Sequence, residues 1–304
     1  MDKHLIAQLY NEEDIISKRI IIDNMLLSKL GFKNCSSITI PRDLTNGQTL
    51  AEDINKQYEE KVANYESKFS LKKLSLSPSG MVKKAVRHKQ DILRKICNEN
   101  INKNESYHRV ISWAKIIGLL GIEFEVRPSI REMLFIPEPS KKKEIEKLMH
   151  FRAILKKDAK KTFNEKTPVQ VLLYPEELNP RYVEEIAKVT GYPECCIRAF
   201  MEDRKKGDNP HIRGALDYYK ASKNKTPEVW AYYTGEFVPC RTDCRAAQNL
   251  GKKAYEKLTD IDKNIAEDYK KMMGENRAVY AKSSKALQSE IVKMQKRNEK
   301  NIKK

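Results

Sequence analysis

A predominantly helical α+β fold is what this sequence predicts, and three observations predict it. Apolar residues recur at three- and four-residue steps, most clearly at Leu50, Ile54, Tyr58, Val62, Tyr65 and Phe69. The period falls to two only in short stretches such as Ile122, Phe124 and Val126. At 40 % hydrophobic, the 304 residues hold enough apolar side chains for a sizeable core, which excludes wholesale disorder.

Taken in order, the first element is a helix from Glu12 to Leu30, with Asn11 as N-cap and Gly31 as its stop. Its apolar face, including Ile15, Ile22, Leu26 and Leu30, is too wide for a coiled-coil seam. It is read either as packed in its own domain or as a docking helix for a protein partner. Ser37 to Pro41 suggests a short strand, and Asn46-Gly47 a turn. The long helix after Thr49 is broken by Ser77-Pro78-Ser79-Gly80, and a second one carries Met81 to Ile96. Asn98 to Glu105 reads as a loop, followed by a helix over Ser106 to Leu120. Strands are expected at 122–126, Met133 to Ile136 and Val169 to Tyr174. Between the last two, Pro139-Ser140 opens a basic helix with Ile145, Leu148, Met149, Ile154 and Leu155 inward.

Farther on, Asn179-Pro180 is a cap followed by proline at the first helical position, and Gly191 stops that helix. Pro193 opens the next, which ends at Gly207. Residues 208–239 are rich in tyrosine and tryptophan, and Thr242 or Asp243 caps a helix running toward Leu258. The remainder reads as an exposed basic helix. With domains of roughly 100–200 residues as the prior, the chain divides into a mostly helical region 1–160, a cysteine-bearing domain 161–258 and a basic helical tail 259–304.

Charge and missing motifs bound the function. The 59 Lys+Arg against 42 Asp+Glu give +17, which favours an anionic partner such as tRNA or other RNA. The excess is local: residues 141–161 hold nine Lys+Arg and three Asp+Glu. Candidate phosphate contacts are Lys141, Lys142, Lys143, Arg152, Lys156, Lys157, Lys160 and Lys161, with Arg241 and Arg245. Arg127, Arg131, Arg198, Arg204 and Arg213 are further guanidinium forks. Tyr218, Tyr219, Trp230, Tyr232 and Tyr233 are candidates to stack on bases, or else core residues. No run approaches the roughly 18–20 apolar residues that span a bilayer, and acidic Glu12, Glu13 and Asp14 fit no secretory signal, so a cytoplasmic protein without membrane contact is expected. No Gly-rich phosphate loop, Gly-x-Ser-x-Gly elbow or kinase motif set occurs, which argues against common nucleotide- and triad-dependent enzymes.

The chemistry sits in four of the six cysteines. Cys195 and Cys196 follow Gly191-Tyr192-Pro193-Glu194, and Cys240 and Cys244 lie in Pro239-Cys240-Arg241-Thr242-Asp243-Cys244. Both pairs fall at helix starts, where unpaired N–H groups favour thiolate, and thiolates bind metal. The pair at 240 and 244 has zinc-site spacing; the adjacent pair does not. Neighbours on a helix diverge by about 100°, which suits the spread of a [4Fe–4S] cluster better than one tetrahedral ion. An iron–sulfur cluster, free thiols and zinc are the three readings, in that order. Cys35 and Cys97 stand alone and read as structural, and so does His211.

Gly-Tyr-Pro-x-Cys-Cys followed by Pro-Cys-x3-Cys resembles the motifs of an uncharacterised archaeal domain family associated with methanogens. It also looks like the accessory scaffold that links phosphoseryl-tRNA synthetase to Sep-tRNA:Cys-tRNA synthase. The resemblance covers about residues 179–258 and makes Cys195, Cys196, Cys240 and Cys244 the shared positions. Under the scaffold likeness, Glu12 to Leu30 would be the docking segment. The functional expectation is an accessory protein with a four-cysteine centre contacting tRNA or a complex that handles it. The alternatives are a redox or sulfur-transfer enzyme, and a pure assembly scaffold with a structural metal.

Overall fold

Ile20, Ile21, Ile22, Met25 and Leu26 cannot all be hidden by an ordinary amphipathic helix, and the chain answers by burying the whole segment. In the computed structural model, which describes residues 3–69, 78–161, 175–206, 208–235 and 237–302, Ile20–Leu26 forms a π-helix with every side chain buried. Its wider turn is visible where the Leu27 N–H donates to the Ile22 carbonyl five residues back. It runs into a short α-turn, α2 (Leu27–Lys29), and the chain then reverses at Gly31, whose φ of 79° is the left-handed conformation glycine tolerates. The helix expected from Glu12 is therefore shorter at its start. Residues 11–16 are turns, and a separate helix, α1 (Lys3–Tyr10), precedes them with Ile6 and Leu9 buried.

Among the residues singled out as a docking face, Ile22 and Leu26 are 0 % exposed, Ile15 and Leu30 are half-buried, and Leu30 belongs to the second unit. Packing in its own unit absorbs this apolar face, so the four do not form one exposed stripe. The chain clusters into two units: Met1–Lys29 with Cys35–Pro139, and Leu30–Asn34 with Ser140–Lys304.

In the first unit the π-helix packs on β1 (Ser36–Ile40) through a buried polar seam. Ser28 Oγ donates to Ser36 Oγ at 2.8 Å, Ser36 Oγ donates to the Asn24 carbonyl at 2.7 Å, and Asn24 Nδ2 donates to the Ser37 carbonyl at 2.7 Å. α3 (Gly47–Phe69), α4 (Pro78–Ile101) and α5 (Glu105–Ile116) follow, then the hairpin β2 (Leu120–Arg127) and β3 (Ile130–Ile136). The sheet is antiparallel in the order β1-β3-β2, with Ile38 opposite Met133 and Ile122 opposite Leu134. The loop expected over 98–105 shrinks, because α4 continues to Ile101 and Asn104 caps α5 by accepting the Tyr107 N–H at 2.9 Å.

In the second unit, α6 (Lys142–Lys161) buries Ile145, Leu148 and Met149 but turns Ile154 outward, 43 % exposed, against expectation. The strand expected at 169–174 lies outside the described residues. A 3₁₀ turn, Pro175–Leu178, carries Glu176, 2 % exposed, which receives Arg152 Nε at 2.9 Å and Lys156 Nζ at 3.2 Å from α6. α7 (Pro180–Thr190) is capped by Asn179 and ended by Gly191 in the left-handed region, as the motif predicts. α8 (Glu194–Lys206) comes next. The stretch after it holds an unexpected helix, α9 (Pro210–Ser222), with Asn209 as N-cap and proline at its start.

α10 (Arg245–Ile261) and α11 (Lys263–Ile302) complete the unit. α11 is not an exposed tail over its first half: Ile265, Ala266, Tyr269, Met273 and Tyr280 are buried. Its polar tips grip the chain between α9 and α10. Tyr269 Oη donates to the Tyr233 carbonyl at 2.9 Å, Asn276 Nδ2 to Tyr232 at 3.1 Å, Arg277 to Pro227 at 2.7 Å and Tyr280 Oη to Phe237 at 3.3 Å. Gly251 lets the same segment lie close on α10, since a Cβ there would stand 2.3 Å from the Trp230 carbonyl oxygen.

Truncating the fully buried Leu26 to alanine is expected to lower stability by about 2–5 kcal/mol, and Ile15→Ala by clearly less, read from the urea midpoint of helical circular dichroism. Equal costs at both positions would contradict the burial described.

Candidate metal centre

Two helix starts and one connecting strap bring the four cysteines together. Cys195 and Cys196 occupy the first turn of α8, where the Cys196 N–H donates to the Pro193 carbonyl at 2.9 Å. Cys244 is itself the N-cap of α10, one position later than Asp243, with φ −56° and ψ 109°; Thr242 and Asp243 lie in the turn before it. Cys240 lies three residues beyond Phe237, whose carbonyl is the last that α11 holds. The sulfurs stand 3.8 Å apart for Cys195–Cys196, 3.7 Å for Cys195–Cys244 and 3.6 Å for Cys196–Cys244, and all four lie within 4.8 Å of one another. Adjacent cysteines converge here because a first helical turn has no preceding turn to clash with, so both side chains find rotamers aimed at one point.

The sulfurs differ in setting. Cys196 and Cys244 are buried at 2 % and 4 % exposure, Cys240 is half-buried and Cys195 is exposed. The Cys240 N–H donates to Cys196 Sγ at 3.3 Å. Burial pushes the Cys196 thiol up strongly and Cys240 up to about 11. Cys244 is pulled down despite burial, because the Ala247 N–H and the neighbouring thiols favour its thiolate. Thiolate is thus favoured at the Cys244 N-cap, where the α10 dipole acts in the same direction.

Arg213 of α9 holds the strap in place. Its Nη1 donates to the carbonyls of Pro239 at 3.1 Å and Cys240 at 2.9 Å, its Nε to Asp203 of α8 at 2.6 Å, and Asp217 lies at 3.4 Å. The guanidinium therefore ties the helix bearing Cys195 and Cys196 to the strap bearing Cys240. Read from sequence as a phosphate fork, it is instead a positioning group. The signal was present: Asn209-Pro210 repeats the Asn179-Pro180 helix start and places Arg213 one turn inside a helix.

The remaining candidates separate by burial. Lys142, Lys143, Lys157, Arg241 and Arg245 are exposed; Arg241 meets Asp243 3.3 Å away, with both side chains largely in solvent. Lys141 is half-buried, Arg152 and Lys156 are turned onto Glu176, and the side chains of Lys160 and Lys161 lie outside the described part. Arg131 pairs with Glu123 and Arg204 with Glu177, whereas Arg198 is exposed. Tyr218, Tyr232 and Tyr233 are core residues, and Tyr219 and Trp230 stay half-exposed. His211 stacks on Tyr280 at 6.2 Å and joins no metal-ligating group among the described residues; nor do the buried Cys35 and Cys97. No helix among the described residues is long and apolar enough to cross a membrane.

Residues 173–273, which include all four cysteines, match the model of a family described as "Protein of unknown function (DUF483)". A curated relative, "Uncharacterized protein MJ1106" of Methanocaldococcus jannaschii, is 32 % identical over 90 residues, 27 % of this chain and 48 % of the relative. The chain thus spans about half the length of that relative, and both findings support likeness to an uncharacterised archaeal family. No solved structure matches.

Two consequences are measurable. Arg213→Ala is expected to weaken metal binding by about 10–100-fold, the usual cost of losing a group that orients a ligand, seen in competition with a chromogenic chelator. Because Cys196 and Cys240 hold protons that metal displaces, affinity is expected to fall with falling pH. The slope is at least about a hundredfold per pH unit, from the two protons these thiols release; a flat profile between pH 6 and 8 would contradict the thiol assignment.

Proposed function

We propose that the second unit is a metal-stapled helical module in which Cys195, Cys196, Cys240 and Cys244 bind one tetrahedral ion, zinc, and whose exposed cations contact RNA. The carrying observation is the sulfur spacing. Metal–sulfur bonds of about 2.3 Å put tetrahedral edges at about 3.8 Å; the three shortest separations are 3.6–3.8 Å and none exceeds 4.8 Å. A [4Fe–4S] cluster seats each thiolate outward on its own iron and spreads the sulfurs farther than that. The spacing therefore favours zinc over the cluster that sequence ranked first. With all four positions taken by protein, such an ion serves structure, joining α8 to the start of α10.

RNA contact is the partner reading that charge supports. Lys142, Lys143, Lys157, Arg198, Arg241 and Arg245 are exposed in this unit, and the chain carries +17.

Metal and acid-labile sulfide are to be measured after anaerobic purification, beside Cys240→Ala. One zinc per chain without sulfide, lost in the variant, is expected; four irons with four sulfides would replace the staple by a cluster. For the partner, anisotropy of a labelled tRNA titrated over rising salt is expected to show affinity falling steeply, with the slope reduced by about one to two in R241A/R245A. Salt-independent binding, or none at low salt, would remove RNA from the reading.

A further inference from the structure

We propose that Cys195 is the nucleophilic sulfur of this centre, a modification site for soft alkyl electrophiles while metal stays bound; this rests on the single-ion reading above. Three observations single it out. It is the exposed member of the group, with Cys196 and Cys244 buried and Cys240 half-buried. It shares the centre, lying 3.8 Å from Cys196 Sγ and 3.7 Å from Cys244 Sγ, so an ion there holds it as thiolate, the reactive form. Its sulfur also escapes the amide bonds that quiet Cys196 and Cys244. Cys196 Sγ accepts the Cys240 N–H at 3.3 Å and Cys244 faces the Ala247 N–H, whereas among the described residues no N–H is directed at Cys195 Sγ.

The step balances without a co-reactant. The Cys195 sulfur attacks the electrophilic carbon, a sulfur–carbon bond forms, and the carbon–leaving-group bond breaks with its electron pair going to the leaving group. No proton is released, because the metal-bound sulfur carries none, and no electron is exchanged. The product is a neutral thioether, a weaker metal ligand than thiolate, so each event lowers the negative charge of the centre by one.

The test uses the full chain loaded with zinc, its zinc content measured first, then treated with sub-stoichiometric iodoacetamide at neutral pH. Peptide mass mapping follows all six cysteines over time. The expected result is a first adduct on Cys195, formed at least tenfold faster than on any other cysteine, with zinc retained in the singly modified chain. Cys35 and Cys97, both buried, are internal controls for unfolding. A first adduct on Cys240, Cys196 or Cys244, or no adduct until zinc departs, overturns the inference while leaving the metal reading intact. Absence of zinc at the outset overturns the metal reading itself, and the inference with it. Mapping on the unmodified sequence avoids a Cys195 variant that loses the ion.

Discussion

Cys240 has no helix of its own to place it, and the centre exists only because its strap is held from outside. One anchor is the Arg213 guanidinium, which binds the Pro239 and Cys240 carbonyls and is neutralised by Asp203. A largely buried charge is stable when it is paired, and Asp203 and Asp217 supply the pairing here. The pairing also joins the strap to α8, so the ligand pair at 195–196 and the ligand at 240 are set by the same contact. The other anchor is α11, whose Tyr269, Asn276, Arg277 and Tyr280 hold the carbonyls of residues 227–237. An irregular segment leaves its carbonyls without backbone partners, and burial is possible only if side chains supply them. Pushing the Tyr280 hydroxyl up to about 12 is the electrostatic trace of that burial.

The first unit solves a related problem with different means. Asn24 and Ser28 are buried inside a largely apolar helical segment, and the serines of β1 supply partners for both. The polar seam fixes where the strand meets the helix, while the surrounding isoleucines supply the hydrophobic driving force. The face that looks wide enough for a partner helix in sequence is wide because it is enclosed by its own unit.

What was readable in the chain follows from the range of the forces involved. Asn179, Pro180 and Gly191 bound a helix by local chemistry alone, and the structure agrees in cap, first turn and stop. The same chemistry at Asn209-Pro210 was overshadowed by the aromatic composition that follows it, which belongs to the core. The polar run after Ile96 reads as loop because its residues carry no apolar periodicity. It stays helical to Ile101 because distant groups satisfy it: Asn98 accepts from Arg131, and Asn100 exchanges hydrogen bonds with Gln57 at 3.1 and 3.2 Å. The basic count of 141–161 was visible, but not that Arg152 and Lys156 are drawn to Glu176.

By itself the sequence determined the helical class, the existence of short strands near β1 to β3, and which four sulfurs are chemically poised, since all of these rest on residue type and near-neighbour spacing. The tertiary structure alone decided how far apart those sulfurs stand, which one meets solvent, and that an arginine four residues into an overlooked helix orients them. Distances between residues separated by more than forty positions depend on how buried polar groups find partners across the fold, and no local pattern in the chain encodes that choice.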